Sequence, residues 1–460
     1  MNHSGWRSGN SAARLFLAIC SLWSVPATAW SQTAADRHGQ DFTAAPGRSG
    51  TLLAQIQSPE SKAKKAAQFV APSPENASTP WQIVVSDVAD QKSSGRLTGL
   101  SKSELQWQSE NSDRVTPLPL SRVKSITRAA VPFLPAVSAP VIFLTGQGWV
   151  RARPTALNES AMTGEWATLT GLAPWSIPLE SVRGAILVDA SSSARQVTNW
   201  RRLLDEPRTA DVVFLRNGDR TSGEFKSLAD GTLSLQAEQS TSKISLAGIE
   251  MLASNSELLS VPAATDTSVV VCLTDGSRLP CRGVRLDGDR LRMETLAGGE
   301  LTVPWMAVQS LWPVGGDLIY LSDLKPERYQ HQPFVGLDWP IRLDRGLLGG
   351  ELRLGRDACV KGVAMHATSE ATWSIPAGWK YFSARIGLAD TAQGQGSVLF
   401  EVRLDNRSLF RSAELTGQNT AVQVGPISLE TAKQITLRVE HASRGDILDH
   451  AVWSEARLHR

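Results

Sequence analysis

The stretch Ser397-Val398-Leu399-Phe400-Glu401-Val402-Arg403-Leu404 alternates along most of its length. Val398, Phe400, Val402 and Leu404 point one way and Ser397, Glu401 and Arg403 the other, the two-residue period of a strand with one face in a core. Around it lie further β-rich runs: Trp373-Ser374-Ile375, Tyr381-Phe382-Ser383-Ala384-Arg385-Ile386 and Gln434-Ile435-Thr436-Leu437-Arg438-Val439. Residues 317–460 are therefore expected to form one two-sheet β-sandwich.

Upstream, from about 80 to 316, the chain repeats itself. Each unit opens on an apolar strand: Trp81-Gln82-Ile83-Val84-Val85, Val141-Ile142-Phe143-Leu144, Val212-Val213-Phe214-Leu215 and Val269-Val270-Val271-Cys272-Leu273. Each closes on an alternating segment, such as Pro119-Leu120-Ser121-Arg122-Val123 or Val303-Pro304-Trp305-Met306-Ala307-Val308. Short strands and Gly-containing turns at this spacing predict four small antiparallel β units, at 80–128, 138–190, 210–256 and 266–314. The pattern resembles SH3-like or Sm-like barrels. Between the second and third, within 191–209, Val197, Trp200, Leu203 and Leu204 share one helical face ahead of Pro207. A short amphipathic helix follows, packing on a neighbouring unit or offered to a partner. The expected fold class is all-β, tandem barrels followed by the sandwich.

The hairpin Val270-Val271-Cys272-Leu273-Thr274-Asp275-Gly276-Ser277-Arg278-Leu279-Pro280-Cys281 carries two of the four cysteines. A turn centred between Gly276 and Ser277 sets Cys272 opposite Cys281, within bridging reach. A disulfide is expected, with two small buried thiols as the other reading. Cys359 has no partner and reads as a buried apolar residue. No Cys/His spacing suits zinc.

The N-terminus reads as an export signal. Arg7 and Arg14 precede the uncharged run Leu15–Val25, and Ala27-Thr28-Ala29 is an A-x-A cleavage triplet. The run is too short for a membrane anchor, which needs about 20 apolar residues. Ile19 before Cys20, where a small residue is required, argues against a lipoprotein signal. Removing 1–29 takes two arginines and no acid, leaving 45 basic against 45 acidic side chains. A neutral chain has no electrostatic claim on nucleic acid. Residues 30–79, rich in Ala, Ser, Gln, Pro and Gly, read as a disordered tether. The expected location is secreted, in the periplasm, at the cell surface or outside, with no membrane span in the mature chain.

The C-terminal region carries ordered motifs: Tyr320-Leu321-Ser322-Asp323-Leu324-Lys325-Pro326, Leu348-Gly349-Gly350, Lys361-Gly362-Val363-Ala364-Met365-His366, Ile386-Gly387-Leu388-Ala389-Asp390, Gly394-Gln395-Gly396-Ser397 and Gly445-Asp446-Ile447-Leu448-Asp449-His450-Ala451-Val452-Trp453. Together, over 317–460, they resemble the NPCBM/NEW2 family, carbohydrate-binding modules with a galactose-binding-like jelly-roll fold. The resemblance implies a polysaccharide or glycan as partner. The family pattern has two adjacent acids where this chain has Ala389-Asp390, one carboxylate fewer.

Of the 15 tryptophans against 3 tyrosines, Trp339, Trp379 and Trp453 lie near polar clusters. An indole can stack on a pyranose ring while polar neighbours bond its hydroxyls. The candidates for sugar contact are Trp339, Arg342, Asp344, His366, Trp379, Arg385 and Asp390. Trp453 reads rather as core, and His366 rather as a hydrogen-bonded structural residue than as a ligand contact. Asp390 is the position suited to a metal, since sandwiches of this class hold structural Ca²⁺ through carboxylates and carbonyls. No other cofactor is expected.

No G-x-S-x-G, H-E-x-x-H, P-loop or dinucleotide fingerprint occurs. A (β/α)₈ glycosidase needs about 250 residues and eight helices, which the strand-rich repeats do not supply. The sequence thus points to a non-catalytic, exported carbohydrate-binding protein whose repeats act as spacer or assembly platform. The alternative is a cell-envelope structural protein that binds protein partners through repeats and sandwich alike.

Overall fold

The computed structural model describes residues 81–129, 140–187, 193–260, 267–334, 338–355 and 357–460. The expected signal at 1–29 and tether at 30–79 lie outside the described residues.

The first unit comprises β1 (Gln82–Asp87), β2 (Lys92–Leu100), β3 (Glu104–Ser109), β4 (Val115–Pro119) and, after a 3₁₀ turn at Leu120–Arg122, β5 (Val123–Arg128). Consecutive strands pair antiparallel from β1 to β4, and β5 returns to the free side of β1. The same order recurs in β6 (Val141–Leu144), β7 (Trp149–Leu157), β8 (Ala161–Trp166), β9 (Trp175–Pro178) and β10 (Val182–Ile186). It recurs in β11 (Asp211–Leu215), β12 (Arg220–Ala229), β13 (Thr232–Ala237), β14 (Ser240–Ser245) and β15 (Ile249–Ala253), and in β16 (Thr267–Leu273), β17 (Arg278–Asp287), β18 (Arg290–Thr295), β19 (Glu300–Pro304) and β20 (Val308–Gly315). In every unit the long second strand shifts register midway, at Leu97/Gly99, Pro154/Ala156, Phe225/Ser227 and Cys281/Gly283. A bulge bends a strand, and here it lets each five-stranded meander curl over its own core.

The meanders join in pairs through their last strands. β5 pairs antiparallel with β20 so that Ile126 faces Leu311, and β10 with β15 so that Ala185 faces Leu252. All four residues stand three places beyond the start of their strand, at Val123, Val182, Ile249 and Val308. The junction between units one and four therefore has the same register, position for position, as that between units two and three. One continuous apolar cluster runs through all four, from Ile83 to Leu311. The helix α1 (Ser193–Asp205) lays Trp200 and Leu203 against Phe143, Trp149, Ile186 and Met251. Gly184, at φ 151°, makes room for it, because a Cβ there would stand 2.5 Å from a Leu203 methyl and 2.3 Å from the Leu252 carbonyl.

The disulfide expectation is corrected by the β16–β17 register. Leu273 N donates to the Ser277 carbonyl at 2.9 Å and Gly276 takes φ 85°, so the turn is tighter and lies earlier than a Gly276/Ser277 centre. Cys272 consequently faces Arg278 and Cys281 faces Val269. Three residues of offset, about 10 Å along a strand, put the two thiols on opposite faces and out of bridging reach. Both are free. Burial pushes the Cys272 thiol up to about 11 and the Cys281 thiol higher still.

The C-terminal strands are β21 (Leu318–Tyr320), β22 (Arg328–His331), β23 (Arg342–Leu343), β24 (Arg353–Leu354), β25 (Asp357–Ala358), β26 (Gly362–His366), β27 (Ser369–Ser374), β28 (Tyr381–Leu388), β29 (Ser397–Leu404), β30 (Arg407–Arg411), β31 (Leu415–Thr416), β32 (Val422–Ser428), β33 (Gln434–His441) and β34 (His450–His459). One sheet runs β23-β26-β34-β28-β32, and the other runs β22-β27-β33-β29-β30. Val398, Phe400 and Val402 are fully buried between them with Trp373, Phe382 and Trp453. Each such side chain contributes about 1.5–3 kcal/mol. Trp453 is core, edge-on to Phe400 at 5.0 Å.

The sandwich and the meanders share a sheet, since β21 continues from β20 and pairs with the end of β34. Buried charges reinforce that joint. Lys124 of β5 reaches Glu455 of β34 at 2.5 Å and also Asp90, which Arg457 of β34 contacts at 2.6 Å. Burial raises the Asp90 carboxyl, but Arg457 and Lys124 more than offset this and hold it below its ordinary range. Arg278 of β17 stacks over Trp149 at 5.2 Å and donates to the Val360 carbonyl.

Candidate functional site

Three strands of the sandwich end or begin together. β22 ends at His331 and β26 at His366, while β34 begins at His450, directly opposite His366 in register. β33 ends at the same edge with His441. Four of the seven histidines of the chain thus gather at one end of the fold. The β22–β23 connection brings Trp339 onto them.

Trp339 is half-buried and lies flat on His366, with ring centroids 4.9 Å apart and planes 6° apart. His450 tilts against both rings at 5.8 Å, and His331 meets His366 edge-on at 5.8 Å. The backbone is fixed as well: Trp339 N–H donates to His331 Nδ1 at 3.2 Å, and the Tyr329 hydroxyl donates to the Trp339 carbonyl at 2.6 Å. An indole held on both sides of its peptide, with an aromatic ring behind one face, is a preorganised platform.

Two of these imidazoles, His366 and His450, are neutral at pH 7. Burial, and then the charge of His366, pushes His450 down to about 4, and burial lowers His366 too. His450 Nδ1 meets the Thr391 hydroxyl at 2.8 Å, and His366 Nδ1 lies 2.7 Å from the Ala367 carbonyl. A neutral imidazole both donates and accepts, as hydroxyl ligands require. Asp338 stands 3.1 Å from His331 with its carboxylate largely in solvent. Asp449 is buried, with one oxygen accepting from Ser397 N–H at 2.7 Å; burial pushes its carboxyl up to about 7. Two apolar side chains flank the end in the open, Phe334 at 74% exposure and Ile447 at 65%.

Of the seven candidate residues, Trp339 and His366 therefore meet. The others are dispersed. Trp379 lies beside the start of β28, at the opposite end of the sandwich, under the Arg460 guanidinium at 4.7 Å. Arg342 grips Asp205 of α1 with two bonds of 2.8 Å. Asp344 is buried, accepting from Lys361 at 2.7 Å and from Gly362 N–H at 2.9 Å. Arg385 faces Asp357 at 3.5 Å. Asp390 is at the histidine end, but the positive charge facing it is Arg353, Nε at 3.0 Å. No group of three His, Cys, Asp or Glu among the described residues is arranged to hold a metal. His331, His450, Phe334 and Thr391 were not singled out from sequence. The usable signal was Asp449-His450 within the closing motif, next to Trp453.

Residues 317–459 match the NPCBM/NEW2 domain family. Among solved structures, a CBM51 from Clostridium perfringens GH95 in complex with methyl-galactose is similar at 26% identity, over 31% of this chain and 99% of that one, with a TM-score of 0.28. The CBM51-2 and INT domains of Clostridium perfringens ZmpB, in complex with GlcNAc, match at 20% identity over 37% of this chain, with a TM-score of 0.29. This chain spans only 36% of that ZmpB chain. No curated protein matches.

Proposed function

With an NPCBM/NEW2 domain at 317–459 as the premise, we propose that this is an exported, non-catalytic carbohydrate-binding protein whose sugar site is the Trp339 end of the sandwich. The observation that carries the reading is the half-buried indole backed by His366 at 4.9 Å and 6°. The C–H face of a pyranose stacks on the outer side of the indole. Its hydroxyls bond to the neutral imidazoles and to Asp338, while Phe334 and Ile447 widen the apolar contact. No helix among the described residues is long and apolar enough to cross a membrane.

The repeats serve as a platform rather than a flexible spacer. We read them, over 80–128, 138–190, 210–256 and 266–314, as SH3-like or Sm-like barrels, on the strength of their shared strand order, bulge and 3₁₀ turn. The alternative, a structural protein binding protein partners through repeats and sandwich alike, calls for a dry apolar patch on the repeats or for exposed edge strands such as β14. Among the described residues, the exposed large hydrophobics ahead of the module are the separate Val115, in the first repeat, and Leu258, just past the third, whereas Phe334 and Ile447 share one end of the module. The test is a glycan array with the full chain. Binding to at least one glycan, lost on Trp339→Ala, is expected; a folded protein that binds none removes the proposal.

A further inference from the structure

A cavity of about 300 Å³ opens where the second meander, α1 and the sandwich meet. Its apolar wall is an aromatic triad: Trp200 stands edge-on to Phe143 at 4.5 Å and to Trp149 at 5.6 Å. Facing it are two guanidiniums, Arg183 of β10 and Arg345 just beyond β23.

The nearby carboxylates are already committed. Asp205 holds Arg342 by both oxygens and shares one of them with Arg345 at 3.1 Å. Asp344, which also lines the cavity, is bound by Lys361 and Gly362. Among the described residues, the one bond Arg183 makes is a long one of 3.4 Å to the Leu204 carbonyl. Burial, and then the charge of Arg345, pushes the Arg183 guanidinium below its ordinary range. Two like charges facing one cavity, with one carboxylate divided among its neighbours, are stabilised by an anion between them. A guanidinium fork matches a carboxylate in a planar, two-bond geometry. The aromatic wall in turn suits a ring of the size this volume admits.

We propose that this cavity binds a single-ring carboxylate, a uronic acid unit, with its carboxylate on Arg183 and Arg345 and its ring against Trp149 and Trp200. The site is separate from the Trp339 platform and would hold an acidic unit of a glycan or a free acidic sugar. Calorimetric titration of the full chain with methyl glucuronide, methyl glucoside and sulfate tests it. Glucuronide is expected to bind, glucoside and sulfate at least tenfold more weakly, and added salt should weaken the binding. Arg183→Gln should cost about tenfold or more, while Trp339→Ala leaves this binding unchanged. Should R183Q fail to fold, Arg183→Lys keeps the charge but not the fork and should still lose several-fold. Absence of glucuronide binding, equal binding of sulfate, or unchanged affinity in R183K overturns the proposal.

Discussion

Asp449 and His450 are neighbours whose burial acts in opposite directions on stability. His450 has a folded value of about 4 against an ordinary 6.5, so the unfolded chain takes up its proton first, and stability is lost as pH falls from 6.5 towards 4. Asp449 has a folded value of about 7 against 3.8, so its contribution is fully present below 3.8 and lost as pH rises through 7. Over the shared window the two largely cancel. Asp449→Asn should therefore be more stable than the wild type at pH 8, and should lose stability more steeply between pH 6.5 and 4. Thermal melts of both proteins across this range check it; parallel profiles would contradict it. Trp339 and His366 were individually legible in the sequence, as an indole and a histidine near polar residues. Their pairing was not, because it depends on which ends of distant strands coincide. Arg342 and Asp344 show the converse, looking like sugar contacts until the partners Asp205 and Lys361 come into view.

At the scale of elements, strand identity was readable from two-residue alternation, and Val398, Phe400, Val402 and Leu404 are all buried as that period requires. Register was harder to read. Asp275-Gly276-Ser277 announced a hairpin, but whether Gly276 ends a tight turn or sits at the centre of a wider one moves every pairing, and with it the expected Cys272–Cys281 bridge. The pairing of fifth strands across meanders had no local signal at all, since it is decided by edges that meet only in the folded chain. Gly184 marks that joint. Gly184→Val brings a side chain against the Leu252 carbonyl and Leu203, and should cost about 1–3 kcal/mol or more in urea denaturation. Glu455→Ala leaves Lys124 buried with a divided partner and should cost about 3 kcal/mol. A loss under 1 kcal/mol in either would mean the joint relaxes freely.

At the scale of the whole molecule, the described residues carry the NPCBM/NEW2 module on a body rather than on a string. The apolar cluster of the four meanders, the β20–β21–β34 continuity and the buried Lys124, Asp90, Glu455 and Arg457 predict that residues 81–460 unfold in a single calorimetric transition. A separate transition for the module would show that the joint is weak. The tryptophan excess finds its place in this picture: Trp175, Trp305, Trp373 and Trp453 fill cores, and Trp339 stays half-buried over a histidine. The most direct test takes the strongest glycan from an array and titrates it into the wild type, Trp339→Ala and Trp379→Ala. Loss of about tenfold or more in W339A, with W379A unchanged, is the expected result. Unchanged binding in W339A, or loss in W379A instead, would place the sugar elsewhere and contradict the site.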